Sequence, residues 1–132
     1  MKNILFLALC LFALTACQDD DDGNRPGARS SWELAFVLAD PGNGSGVFTP
    51  VDSDRTLDLL DEGSWVANEN LCTFGTTDEQ ASTGVYSLED GTFTVDDCVT
   101  TGGSPFSIEV RGDTLDLTYL CIEACAHRYL RR

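Results

Sequence analysis

The chain has 132 residues, with 22 acidic side chains against eight basic ones and a formal net charge of −14. The only lysine is Lys2, so everything after it carries seven arginines against all 22 acids. Such a surface repels nucleic acid and anionic headgroups, which excludes both as partners, and the length allows one small domain.

Met1–Cys17 reads MKNILFLALCLFALTAC. Lys2 gives a positive start, and Ile4–Leu14 is an apolar run shorter than the ~20 residues of a spanning helix. Leu14-Thr15-Ala16-Cys17 resembles the bacterial lipobox. That resemblance implies a lipoprotein signal peptide over residues 1–16, a mature chain starting at Cys17, and an acyl anchor on its thiol. Residues 17–30 then form a lipidated acidic tether, since QDDDDGNRPGARS offers nothing to bury. Gln18 stands where the inner-membrane retention signal has Asp. Cys17-Gln18 followed by Asp19–Asp22 resembles the export signal of Bacteroidota surface lipoproteins. The implied location is the outer membrane, at its periplasmic face or at the cell surface.

Residues 31–132 read as a β domain of short strands. Trp32, Leu34, Phe36 and Leu38 recur at every second position, the pattern of a half-buried first strand. A second strand lies at Leu57–Leu59, a third at Ser64–Ala67, a fourth at Thr83–Leu88 and a fifth at Thr92–Val95. Phe106, Ile108 and Val110 mark a sixth, and Leu115, Leu117 and Tyr119 a seventh. Ala126–Leu130 is an eighth strand or a short helix. Asp61-Glu62-Gly63, Glu89-Asp90-Gly91 and Arg111-Gly112-Asp113 are tight hairpin turns. The remaining connections (residues 39–55, 68–82, 96–104 and the Cys121–Cys125 corner) are longer. Up-and-down order puts every tight turn at one end and every long loop at the other. The expected fold is therefore an all-β, up-and-down antiparallel sheet closing into a small eight-stranded barrel. Its inward set is Trp32, Leu34, Phe36, Leu57, Leu59, Phe93, Val95, Phe106, Ile108, Leu115, Leu117 and Tyr119.

Cys10 lies in the leader, which leaves Cys72, Cys98, Cys121 and Cys125 in the exported domain, all at the long-loop end. Their spacing does not match paired C-x-x-C zinc knuckles, and an oxidising compartment favours disulfides. Four cysteines allow three pairings. A tight corner favours Cys121–Cys125, leaving Cys72–Cys98; a straight strand would hold Cys121 and Cys125 about 13 Å apart.

Ser30-Ser31-Trp32-Glu33-Leu34, the serial hairpins and a basic residue in the last strand resemble lipocalin-like lipoproteins. Asp40–Gly46, Asn70-Leu71-Cys72, Ser82–Tyr86 and Cys121–Cys125 are similar to segments of small secreted flavobacterial-type proteins of this kind. The resemblance implies that Arg128 packs across Trp32 to close the barrel, and that the protein carries or binds a small apolar ligand.

No catalytic constellation emerges. His127 is the only histidine, and it reads as a surface or strand residue without a nucleophile to serve. Asp52 and Asp54, Asp61 and Glu62, Glu89 and Asp90, and Asp96 and Asp97 read as solvated carboxylates rather than a facing pair. No loop matches the calcium template, and no cofactor is expected. Arg111-Gly112-Asp113 reads as turn chemistry rather than an adhesion motif. The expected function is a non-enzymatic binding module with its site at the long-loop end, around residues 40–50, 70–80 and 97–104. The alternative is a structural or accessory subunit of a cell-envelope complex with a filled barrel core.

Overall fold

The computed structural model describes residues 28–75, 79–98 and 104–132. The leader, Cys17, the tether up to residue 27 and the tips of two long loops lie outside the described residues. Nine strands form one antiparallel sheet: β1 (Ala28–Ala39), β2 (Thr49–Pro50), β3 (Thr56–Leu60), β4 (Ser64–Ala67), β5 (Ser82–Ser87), β6 (Thr92–Val95), β7 (Pro105–Arg111), β8 (Thr114–Tyr119) and β9 (Cys125–Arg131). Their order is β2-β1-β3-β4-β5-β6-β7-β8-β9, and β1 also pairs with β9. Eight strands thus close an up-and-down barrel, as the period-2 pattern predicts, and β2 is an extra strand beside β1.

The eight expected strands are all present. The last is a strand rather than a helix, because its backbone pairs on one side with β8 and on the other with β1. β1 begins at Ala28, so residues 28–30 belong to the barrel rather than to the tether. Ala28 and Ser30 find partners in Leu60 and Leu59 of β3.

The interior is built from alternate residues. Trp32, Leu57, Leu59, Trp65, Phe93, Leu115 and Leu117 are at most 2% exposed. Burial of side chains this size contributes about 1.5–3 kcal/mol each. Trp65 stacks on Phe93 with centroids 4.5 Å apart, and its Nε1–H donates to the Thr94 carbonyl at 3.0 Å. Its ring lies over Gly84, its cross-strand partner. A Cβ on Gly84 would overlap the Thr94 carbonyl oxygen and stand 2.7 Å from the Trp65 ring, so the position has to be glycine.

Two members of the inward set point elsewhere. A register shift between Leu34 and Phe36 in the β1–β9 pairing marks a bulge, after which Val37 rather than Phe36 packs on the core. A second shift, between Pro105 and Ser107, turns Phe106 outward, leaving it 52% exposed. An extra residue in one strand reverses the alternation beyond it, and periodicity alone does not reveal it.

The tight turns at 61–63, 88–91 and 112–113 share one end of the barrel. The chain enters β1 there and also finishes there: the Arg132 N–H donates to the Ser31 carbonyl and the Arg131 N–H to that of Asp113. Both ends of the described chain thus lie at the short-turn end, and the long connections run at the opposite end.

Candidate functional site

The long-loop end is not closed in the same way all round. β1 pairs with β3 only from Ala28 to Glu33, whereas it pairs with β9 up to Ala39. Beyond Glu33 the free side of β1 is met by the incoming chain before β3. Val51 N–H donates to the Ala35 carbonyl, Leu34 N–H donates to the Arg55 carbonyl, and Thr49 and Pro50 pair with Val37 and Phe36. The seam between β1 and β3 thus splays into a mouth of about 690 Å³, open on one side. Leu34, Val37 and Val51 give it an apolar wall. Asp52, Ser53, Asp54, Arg55, Asn68, Glu69 and Glu79 complete it.

Asn68 holds the mouth in shape. Its Oδ1 accepts the Thr56 N–H at 2.7 Å, and its Nδ2 donates to the Asp54 carbonyl at 2.9 Å. The next residues fold into the barrel as a plug. Glu69 is 2% exposed and Leu71 is fully buried, while Phe74 lies edge-on to Tyr119 and over His127, both at 5.1 Å. Ser82 anchors the plug by donating its hydroxyl to the Glu69 carbonyl at 2.7 Å.

A polar chain fills the space behind the plug. Arg55 Nη1 donates to Glu69 Oε2 at 3.1 Å, and the Tyr129 hydroxyl donates to Glu69 Oε1 at 2.8 Å. Burial raises the Glu69 carboxyl above its ordinary range, against the opposing pull of Tyr129 and Arg55. Tyr119 Oη lies 2.8 Å from His127 Nδ1. Burial, reinforced by the Arg55 charge, lowers His127 to about 4, so at neutral pH it accepts the Tyr119 proton. Burial also holds both tyrosines well above the phenol range. His127 is a residue of strand β9 and 2% exposed, so of the two readings the sequence offers the strand one holds and the surface one does not. Its register opposite Leu117 puts it on the inner face, with Cys125 and Tyr129.

The same parity moves the closing arginine. Arg128 points outward, where it donates to both Asp116 oxygens at 2.7 and 2.8 Å and lies over the Phe48 ring at 3.8 Å. Burial works to raise the Asp116 carboxyl, but Arg128 and Arg111 outweigh it and hold the carboxyl low. Arg131, an odd number of residues further on, is the residue that crosses Trp32, with its guanidinium 4.4 Å from the ring.

Both expected cysteine pairs form, Cys72 with Cys98 and Cys121 with Cys125, with Cα separations of 5.4 and 6.2 Å. The first ties the plug to the chain leaving β6. The second closes the corner between β8 and β9.

Arg111-Gly112-Asp113 is a hairpin turn. Arg111 is held by Glu109 and Asp116, and Asp113 by Arg131. Asp61, Glu62, Glu89, Asp90, Asp96 and Asp97 are exposed. Among the described residues no cluster of His, Cys, Asp or Glu could hold a metal ion, and no helix is long and apolar enough to cross a membrane.

Of the three loop stretches expected to form the site, residues 40–50, 70–80 and 97–104, only Glu79 lines the mouth among the described residues. Asp40–Gly46 is instead folded around the Asp40 carboxylate, whose Oδ1 accepts the N–H groups of Gly42, Asn43 and Gly44 and whose Oδ2 accepts that of Gly46. Residues 99–103 lie outside the described residues. Arg55 and Glu69 were missed by sequence reasoning, because Asn68-Glu69-Asn70 reads as a solvated loop. The apolar Leu71 and Phe74 beside Cys72 were the available signal that the segment turns inward. No family model, curated protein or solved structure matches the chain.

Proposed function

We propose that the protein is a lipid-anchored binding module of the outer membrane, akin to the lipocalin-like lipoproteins, with its site in the barrel mouth rather than in the barrel's depth. The observation that carries this reading is the splayed β1–β3 seam. It leaves a cavity of about 690 Å³ beside the packed core of the barrel. That volume lies within the ~300–1,000 Å³ typical of small-molecule sites. The lipobox-like Leu14–Cys17 and the acidic tether support the anchoring. The mouth lies at the end opposite the tether, facing away from the membrane.

The test is native mass spectrometry of the protein extracted from its own membrane. A retained small molecule that is lost in Val37→Trp, together with a covalent lipid mass lost in Cys17→Ser, is the expected result. A chain without lipid refutes the anchor, and a ligand retained by Val37→Trp refutes the site.

An accessory role in an envelope complex is favoured by one feature. Leu38, Phe48, Phe106, Leu120 and Ile122 line a groove on the outer face of β7–β9. Phe106, Leu120 and Ile122 are 52%, 60% and 100% exposed. Photo-crosslinking from position 106 to one discrete envelope protein is the outcome that supports this reading.

A further inference from the structure

The mouth has a sign as well as a volume. Four carboxylates line it, those of Asp52, Asp54, Glu69 and Glu79, against one cation, Arg55. Arg55 is already committed to Glu69, which in turn is held by Tyr129. The carboxylates of Asp52, Asp54 and Glu79 have no hydrogen-bond or ion-pair partner among the described residues. Asp52, Asp54 and Glu79 are exposed, while Leu34 is buried and Val37 half-buried along the same lining. A ligand that fills this space therefore presents an apolar body inward and its polar group to three free carboxylates.

We infer that the mouth selects a small organic cation with an apolar body, an alkyl- or arylammonium, over a neutral or anionic amphiphile of the same size. This inference rests on the mouth being the binding site. A fatty-acid-like carboxylate has no free cation to meet there, because freeing Arg55 would leave Glu69 charged and buried, which is a costly state. An ammonium needs no rearrangement. It takes the place of solvent counterions at the rim while its chain covers Leu34, Val37 and Val51. The rim carboxylates are exposed, so their attraction is partly screened and the preference depends on salt.

The experiment is isothermal titration calorimetry of the purified, oxidised protein with octylammonium, 1-octanol and octanoate at low and high ionic strength. At low salt octylammonium is expected to bind at least about tenfold tighter than octanoate, with octanol between them, from three screened charge contacts together. Raising the salt narrows the gap. In Asp52→Asn, Asp54→Asn, Glu79→Gln, three exposed changes that leave the core untouched, the gap closes to within about twofold. Val37→Trp, with its fold checked by circular dichroism, weakens all three ligands. If all three bind the wild type equally and Val37→Trp weakens them, the charge inference is overturned and the site reading stands. If the triple variant keeps the full preference for octylammonium, the rim is not its source and the inference is likewise overturned. If none of the three binds, both fall.

Discussion

His127 gives the sharpest test of the interior. Its pKa is about 4 in the fold against an ordinary 6.5. The unfolded chain therefore binds the extra proton first as the pH falls. Stability is fully present above 6.5 and is lost as the pH drops through the window towards 4. At 1.36 kcal/mol per pKa unit, the loss attributable to this group is about 2 kcal/mol at pH 5 and about 3 kcal/mol below pH 4. Glu69 acts in the opposite sense. Its carboxyl is raised by burial, so acid favours the folded form through the window just above its ordinary 4.5. The two are separated by comparing the wild type with His127→Phe in urea unfolding at pH 7 and pH 5. The variant is weaker at pH 7 by about 1–3 kcal/mol, because the Tyr119 hydroxyl loses its acceptor. It should then lack the wild type's further loss of about 2 kcal/mol on going to pH 5. The chain has one histidine, so its imidazole Cε1–H resonance is unique and can be titrated directly. Equal acid sensitivity in both proteins, or a resonance titrating near 6.5, would refute a buried, neutral His127.

Gly84→Ala should destabilise the barrel by at least about 2 kcal/mol in thermal or urea unfolding, since its methyl overlaps the Thr94 carbonyl and the Trp65 ring. Arg131→Ala should change tryptophan emission and cost about 0.5–2 kcal/mol, whereas Arg128→Ala should leave the emission near wild type, because only Arg131 lies over Trp32. Replacing Cys72 and Cys98 together by serine should cost about 2–4 kcal/mol and raise hydrogen exchange in the plug from Glu69 to Phe74 before it does so in β7–β9.

The strands were legible because β1, β3, β7 and β8 alternate their apolar residues and the tight turns punctuate the rest. The cysteine pairing was legible because Cys121 and Cys125 are close enough in sequence to close a tight corner, which leaves Cys72 for Cys98. What was not legible depends on register. The bulges after Leu34 and at Phe106 change which face a side chain occupies without changing composition, so Phe36 and Phe106 were placed inward. In the last strand a single step of parity separates Arg128 from Arg131, and nothing in Ala126–Leu130 alone fixes which set faces the core. β2 had no signal of its own. Thr49 and Pro50 are two residues without periodicity, and they form a strand only because β1 has bare backbone to pair. Glu69 was hidden by its neighbours. Two asparagines beside a glutamate describe a wet loop, until Leu71 and Phe74 draw that loop into the barrel.

The mouth follows from a mismatch in strand length. β1 has 12 residues and β3 has five. β9 has the reach to follow β1 to Ala39, but β3 does not, so half of one side of β1 would be left with unpaired N–H and C=O groups. The chain before β3 supplies those partners by running alongside as β2 and residues 51–55. A strand returning in that position lies beside the barrel rather than within its pairing order, which is why space remains between it and Asn68–Glu69. Apolar filling of that space would have required large side chains on residues 51–55. The sequence there is Val-Asp-Ser-Asp-Arg. Only Val51 is apolar, and the one long side chain, Arg55, is drawn inward by Glu69. The opening is thus fixed by backbone pairing on one wall and kept open by short acidic side chains on the other, at the long-loop end of the barrel.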